Sequence, residues 1–249
     1  MKTSLIASVW AASALTTAAL ADSPHSVSAN IGVASNYIWR GVTQTLDDPA
    51  VSGGLDYEHR SGFSAGTWIS NVDFGDESPN YELDLYTGFG GKVNDDLSYA
   101  LNAIYYAYPD GRDADFAEIG ASGTFKWFTL GLAYTVYGEN DEGLFDDGDL
   151  YYYAGFELGE LPYDLTFALR GGYYDFRHDE VEVGPVLDPA GNLIGIETES
   201  ADYWHYGASI SKEAGDFGTF SLNWDQNSGN DDAGYDNDPK FWVAWNKEF

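Results

Sequence analysis

Charged side chains recur on the polar side of several stretches in which apolar and polar residues alternate. Successive side chains of an extended strand point to opposite faces, so these charges share a surface with other polar residues. If that surface encloses water, carboxylates on it favour cations. The alternative is that acids and bases only neutralise one another inside a plugged interior. The residues predicted to line it, with acids in excess, are Arg40, Asp56, Glu58, Arg60, Glu82, Asp84, Glu118, Lys126, Glu157, Asp164, Arg170, His205 and Asp225.

The sequence offers no comparable arrangement for catalysis. Its four histidines are accompanied by no cysteine, so thiolate sites and disulfide bonds are excluded. His205 lies on the polar face, and His178 lies in a long polar segment. His59 falls on the apolar side at a short turn, the wrong end for a lipase that acts on an external membrane leaflet. We therefore predict that the protein is not an enzyme and has no cofactor.

The alternation extends from residues 27–40 to residues 239–249, in about twelve stretches. Short connections alternate strictly with longer, acidic ones that are rich in Gly, Asn and Asp. This pattern predicts an all-β, transmembrane up-and-down antiparallel β-barrel with short periplasmic turns and longer external loops. The short connections are residues 59–62, 91–96, 126–127, 159–162 and 212–217; the long ones are 41–49, 73–80, 109–115, 138–149, 175–201 and 226–239.

The start of the chain is typical of an exported protein. Residues 1–21 combine a basic start, an apolar run and a small-x-small site, which predicts a cleaved signal peptide and a single domain over residues 22–249. Beyond residue 21 no stretch reaches the roughly 18 to 20 apolar residues of a spanning helix. The formal net charge of −30 makes nucleic acid a poor partner.

The last strand favours a lipid environment. Phe241, Val243, Trp245 and the final Phe249 share one face, which a soluble sandwich, the alternative, would rarely expose. Lys247 interrupts this face, but its amine can reach water at a membrane interface. A terminal Phe predicts recognition of Phe249 by the barrel-assembly machinery. Aromatic residues near the strand ends, among them Tyr37 and Trp39, are expected at the two lipid interfaces.

The acidic long segments could also bind divalent cations. Residues 139–142, 146–149 and 230–238 supply carboxylates suited to Ca²⁺, but none has the spacing of an EF-hand loop. We therefore predict no dedicated metal site. A solvated acidic surface is expected instead, in contact with outer-membrane lipid and bridged to lipopolysaccharide by divalent ions.

The most distinctive stretch is residues 35–44, in which Ser35, Asn36, Tyr37, Arg40, Gly41 and Gln44 form an S-x-Y-x-x-R-G-x-T-Q pattern. A G-x-W-x-S-N segment follows at residues 66–71. Together they resemble the Gcw_chp or TorF-like family of proteins assigned as bacterial outer-membrane porins. The resemblance implies a barrel and a pore, and no particular solute.

The alternation places Asn36 and Arg40 inside the barrel and Tyr37 and Trp39 at the lipid interface. Gly41 would allow the backbone to leave the strand tightly. Arg40 would then pair with Asp56 and Glu58 of the next strand. The motif is either a charged ring at the mouth of a pore or a structural latch for the first hairpin.

These patterns lead to a channel in the outer membrane of a Gram-negative bacterium. Barrels of about 8 strands are filled by side chains, whereas those of about 16 enclose an open channel, so twelve strands predict a narrow lumen. Small cationic or neutral solutes are the expected cargo. The alternative is a non-conducting, surface-binding barrel whose 175–201 segment and acidic neighbours contact a partner.

Overall fold

The computed structural model describes residues 23–75, 79–140, 143–190 and 192–249. The signal peptide predicted at residues 1–21 lies outside these ranges and stays a prediction. Within them, no helix is both long enough and apolar enough to cross a bilayer.

The described residues form sixteen strands, twelve of which close into one antiparallel barrel. In chain order the strands are β1 (His25–Ala34), β2 (Ile38–Trp39), β3 (Val42–Thr43), β4 (Ala50–His59), β5 (Phe63–Asn71), β6 (Tyr81–Lys92), β7 (Leu97–Ala107), β8 (Phe116–Phe125), β9 (Phe128–Gly138), β10 (Leu150–Leu161), β11 (Leu165–Asp175), β12 (Glu180–Leu187), β13 (Leu193–Ser200), β14 (Tyr203–Glu213), β15 (Thr219–Asn227) and β16 (Lys240–Glu248). The pairs β2–β3 and β12–β13 lie in loops, outside the barrel sheet.

The two ends of the chain close the barrel. β1 pairs with β4 on one side and with β16 on the other, both antiparallel. Ala29 and Phe249 exchange backbone hydrogen bonds of 3.2 and 2.8 Å, so the terminal residue takes part in the seam. Closure leaves no unpaired edge, which is what lets a sheet cross a bilayer. The predicted fold of about twelve antiparallel strands is confirmed.

The two faces of the sheet have the polarity expected of a membrane barrel. Leu55, Leu101 and Leu130 lie exposed on the outside, whereas Glu82, Glu118 and Asp225 are buried inside. A soluble sandwich has the opposite arrangement, so that alternative is excluded. The outer apolar surface is the one that faces lipid in a transmembrane barrel.

The connections alternate in length as the sequence predicted, with both chain ends at the short-turn end. The tightest turn, between β8 and β9, contains only residues 126–127, and Lys126 adopts a φ of 56° there. At the same end the Lys247 amine donates to the backbone oxygen of Asp216 at 2.6 Å, which agrees with an interfacial position for this lysine. The longest loop, between β11 and β14, contains the β12–β13 hairpin.

The first strand is shorter than predicted. β1 ends at Ala34, not at residue 40, and residues 35–49, hereafter loop 1, turn into the barrel lumen. Ser35 marks the exit, because its backbone N–H donates to Val243 and its hydroxyl accepts from the Val243 N–H. Loop 1 therefore lies inside the ring of strands, at the end with the long loops.

Candidate functional site

Loop 1 begins with a tight hairpin whose tip is formed by Arg40 and Gly41. Ile38 pairs with Thr43 and Trp39 with Val42, which leaves two central residues. Their φ values are 47° and 82°, and positive φ at both positions is typical of a type I′ turn. Gly41 adopts this conformation without steric cost, and the turn sends the Arg40 side chain forward into the lumen.

Short polar side chains hold loop 1 in shape. The Asn36 side-chain oxygen accepts hydrogen bonds from the hydroxyls of Thr43 at 2.8 Å and Thr45 at 3.2 Å. Its amide nitrogen donates to Asp47 at 2.6 Å. The Gln44 backbone N–H donates to the Tyr37 carbonyl at 2.7 Å. Asn36 points into the barrel, where it organises loop 1 and lines the cavity below it.

Arg40 is bound by Glu118 on β8. The two guanidinium nitrogens donate to the two carboxylate oxygens at 2.8 and 2.6 Å, and the side chains are only 9% and 2% exposed. The guanidinium carbon lies 3.9 Å from the ring centre of Tyr151 and 4.2 Å from that of Trp39. Such a bidentate salt bridge, with charge-assisted hydrogen bonds and aromatic rings on the guanidinium faces, is a strong interaction. The predicted pairing with Asp56 and Glu58 is wrong.

A second carboxylate fixes the base of loop 1. The Tyr37 hydroxyl donates to Glu82 on β6 at 2.8 Å, and Tyr108 donates to the other oxygen at 2.6 Å. Tyr37 is buried and packs edge-on against Trp68, with ring centres 5.4 Å apart. Trp39 contacts aromatic rings in the lumen, including that of Phe116. The prediction that Tyr37 and Trp39 face lipid is wrong, because the chain leaves the barrel wall before it reaches them.

Two further contacts connect loop 1 to the closing strands. Asn227 on β15 donates its side-chain amide to the Gly41 carbonyl at 2.9 Å. The Lys240 amine, at the start of β16, donates to Asp47 at 2.7 Å and also to Asp236. That hydrogen bond from Lys240 lowers the pKa of the Asp236 carboxyl below its ordinary value, and Asp236 lies in the loop before β16.

A second ion pair lies on the inner surface, together with other buried ionisable groups. Arg170 donates to both oxygens of the buried Asp225, which accepts a further hydrogen bond from Trp242 Nε1 at 2.8 Å. Asp84 is buried on β6, two positions after Glu82. His205 is buried, and its Nε2 lies 2.7 Å from the Tyr151 hydroxyl.

Several predicted lining residues lie near the short-turn end. Asp56 accepts hydrogen bonds from Tyr86 at 2.5 Å and Asn30 at 3.1 Å, and Glu58 follows it on the same face of β4. Three other predicted lining residues are placed differently: Arg60, Lys126 and Asp164 are exposed residues of the short turns, outside the strands.

The predicted set of lining residues left out two inward charges of β16. Lys240 and Glu248 lie at even-numbered positions with Trp242, and the register pairs Lys240 with inward Asp225 and Glu248 with inward Asn30. The period of two that puts Phe241 and Val243 on the lipid face puts both of these charges on the opposite face. Lys240 also connects loop 1 to the loop before β16. A local sequence pattern cannot predict this contact, because Asp47 and Lys240 are far apart in the chain.

The lumen below loop 1 contains a cavity. It has a volume of about 70 Å³ and lies between loop 1 and the short-turn end, and Glu157 is among the residues that line it. Its wall combines apolar surface, including two indole rings, with hydroxyl and amide groups. Members of this wall are Ser52, Ser70, Thr166, Ser209, Ser211, Thr219, Ser221, Asn223 and Asn246, together with Trp68 and Trp242.

The described residues contain no group of three or more His, Cys, Asp or Glu side chains placed to hold a metal ion. The acidic segments at residues 139–142 and 230–238 include positions outside the described side chains. Cation binding by these loops therefore stays an expectation.

Fold and lumen together define a transmembrane β-barrel whose long-loop end is occluded by its own first loop. The chain belongs to the family described as "Bacterial protein of unknown function (Gcw_chp)", which matches residues 18–240. The resemblance carried by residues 35–44 and 66–71 is thereby confirmed. No curated protein matches the sequence.

Two solved porin structures, KdgM and NanC, share the fold. The KdgM porin aligns over 89% of this chain and 98% of its own length, with a TM-score of 0.51 and 6% identity. The NanC porin gives the same coverages, a TM-score of 0.50 and 11% identity. OprD from Pseudomonas aeruginosa aligns over 85% of this chain at 16% identity and a TM-score of 0.44, and this chain covers 61% of that protein.

Proposed function

We propose that the protein is a narrow outer-membrane channel for small solutes in a Gram-negative bacterium. The observation that carries this proposal is a closed barrel with an apolar outer surface and an inner surface rich in polar and charged side chains, which leaves a cavity below loop 1. Loop 1 lies in the lumen above this cavity and restricts the passage.

The arrangement of charge supports a preference for cationic or neutral solutes. Arg40 and Arg170, which would attract anions, are each bound by a buried carboxylate. Glu157 lines the cavity, and Asp56 and Glu58 face the lumen nearer the short-turn end. Carboxylates along a narrow lumen disfavour anions, because a charge there is poorly screened by water.

Planar-bilayer recording tests the channel directly. In a KCl gradient the purified barrel is expected to give small conductance steps. The reversal potential is expected to lie toward the equilibrium potential of K⁺, as it does for a cation-selective channel. Liposome swelling with small solutes of different charge gives the permeation series. Anion selectivity contradicts the proposed preference. Absence of conductance and swelling in the wild-type protein contradicts the channel itself.

A non-conducting, surface-binding barrel is the second candidate. It is favoured by the buried Arg40–Glu118 pair, which holds loop 1 inside the lumen, and by the β12–β13 hairpin. On that hairpin Leu187, Leu193 and Ile194 are all exposed outside the barrel wall. The conductance of a variant without loop 1 does not separate the two candidates by itself. Flux through the wild-type protein does.

The partners proposed for the protein follow from its surfaces. Phe249 is exposed at the seam with β1, where the assembly machinery would engage the last strand. Deletion of Phe249 is expected to lower the amount of heat-modifiable barrel in the outer membrane. Unchanged assembly would exclude this role. Lipopolysaccharide, bridged by divalent ions, is the proposed partner of the acidic long loops. Transport through a lumen requires no catalytic residue and no cofactor.

A further inference from the structure

We propose that His25 and His59 form a binding site for a divalent transition-metal ion, Cu²⁺ most tightly, at the short-turn end of the barrel. His25 is the first residue of β1 and His59 is the last residue of β4, and the two are direct cross-strand partners. The proposed topology puts this end of the barrel in the periplasm. The site lies outside the lumen and is independent of the proposed channel.

The first argument is that the backbone holds the two histidines side by side. The Arg60 N–H donates to the Pro24 carbonyl at 2.8 Å. The histidine pair next to this hydrogen bond is therefore of the non-hydrogen-bonded kind, in which opposite side chains stand closest. The Gly62 N–H donates to the His59 carbonyl at 2.9 Å and closes the short turn. A site on such fixed elements is pre-organised for an ion.

The second argument is the distance between the two imidazole rings. Their centres are 5.1 Å apart, and their planes are inclined at 48°. A tetrahedral ion that binds two imidazole nitrogens at about 2.0–2.1 Å each holds the two ring centres about 5 Å apart. The strands therefore need no rearrangement for both rings to share one ion.

The third argument is an oxygen partner for the other nitrogen of each ring. His25 Nδ1 lies 2.7 Å from the Tyr57 hydroxyl, and His59 Nδ1 lies 2.8 Å from the Ser61 hydroxyl. A metal-bound histidine donates its second ring N–H to an oxygen in this way, so Nε2 is the ligating nitrogen of both residues. The Ser61 N–H also lies 3.2 Å from His59 Nδ1, and that contact is given up when Nδ1 carries the proton.

The ligand type selects the ion. Imidazole nitrogen suits Cu²⁺, Ni²⁺ and Zn²⁺, and Cu²⁺ has the highest affinity in this series, whereas Ca²⁺ and Mg²⁺ prefer oxygen ligands. Within the described residues no larger group of His, Cys, Asp or Glu side chains surrounds the pair. Water therefore completes the coordination, which His25 permits because it is exposed. The net charge of −30 draws cations to the protein.

Calorimetric titration of the full barrel in detergent, purified without a histidine tag, tests the site. Excess CaCl₂ in the buffer occupies the acidic loops. CuCl₂ is expected to give saturable heat with one ion per barrel, and ZnCl₂ weaker binding. Electron paramagnetic resonance of the Cu²⁺ complex is expected to show nitrogen ligands. His25→Gln and His59→Gln are each expected to weaken Cu²⁺ binding by about tenfold or more, since even loss of an outer hydrogen-bond partner costs about that much. Absence of saturable Cu²⁺ heat in the wild type overturns the inference.

The matched control is a histidine at the other end of the barrel. His178 lies in a long loop, 3.8 Å from Asp146, and His178→Gln is expected to keep the wild-type affinity for Cu²⁺. Tyr57→Phe keeps the ring but removes the hydroxyl beside His25, so it is expected to weaken binding. Heat-modifiable migration shows that each variant folds. Equal affinities in wild type and His59→Gln, or loss of binding in His178→Gln alone, overturn the site.

Discussion

At the scale of single residues, Arg40 is the link between the motif and the barrel. It occupies the tip of a two-residue turn and reaches a carboxylate on β8, with aromatic rings on its flanks. A buried ion pair adds little net stability, but removal of one partner leaves the other charge uncompensated. Such a pair is suited to hold loop 1 in one position. The structure favours the latch interpretation of the motif over a charged ring open to solvent.

Substitution of Arg40 tests the latch. In Arg40→Ala, Glu118 remains buried without its cation, and the stability of the barrel is expected to fall by about 3–5 kcal/mol. Loop 1 loses its main anchor, so single-channel conductance is expected to rise. Arg177→Ala is the control, because Arg177 forms an exposed pair with Asp147 at 3.4 Å. If the two variants behave alike in conductance and in thermal unfolding, Arg40 is not a latch.

The contact between Lys240 and Asp236 predicts a response to acid. The pKa of Asp236 is lowered in the folded protein, so the pair stabilises the fold above the ordinary Asp pKa of about 3.9 and is lost as pH falls through the lower folded value. The difference in unfolding temperature between wild type and Asp236→Asn is expected to be constant above about pH 5 and to vanish in stronger acid. Asp238→Asn serves as the control. A difference that persists in strong acid contradicts the prediction.

At the scale of elements, the strands could be predicted and the path of loop 1 could not. Lipid outside and polar contacts inside impose a period of two on each barrel strand, which the sequence displays. Residues 35–40 continue that period although the strand has ended, so alternation alone extends β1 too far. The partners that pull loop 1 inward, Glu82 and Glu118, lie 45 and 78 positions from Tyr37 and Arg40. Only closure of the barrel brings them together.

The element-scale prediction concerns removal of loop 1. Ala34 and Ala50 are cross-strand partners, so a short Gly-Ser turn can replace residues 36–48 without change to β1 or β4. The barrel is expected to assemble and to conduct more than the wild type, because the upper lumen loses its filling. An equivalent replacement of residues 188–192, at the tip of the β12–β13 hairpin, is the control and is expected to leave conductance unchanged. Equal conductance in all three proteins would show that loop 1 does not restrict the lumen.

At the scale of the whole molecule, one closed sheet separates two environments. The outer surface carries the large apolar side chains, and the inner surface carries the buried ion pairs, serine and threonine side chains, and loop 1. Sequence patterns captured this division because it holds for every strand. Alternation assigns Tyr151, Tyr174 and Tyr203 to the inside, but it does not say whether an inward side chain faces open space or packs against its neighbours. The sequence patterns therefore could not show that aromatic rings fill the upper lumen.

The transmembrane assignment makes a prediction that exposure alone does not. Leu101, near the middle of β7, and Leu193, on the β12–β13 hairpin, are exposed to similar extents, 53% and 63%. Only Leu101 belongs to the barrel wall. Arginine on the lipid face at the bilayer midplane costs about 2–4 kcal/mol, and the penalty fades toward the interfaces. Folding into lipid vesicles, followed by urea titration, is expected to show that loss for Leu101→Arg and almost none for Leu193→Arg. Equal losses would mean that the apolar wall faces another protein surface or water, because lipid is the environment that distinguishes these two leucines.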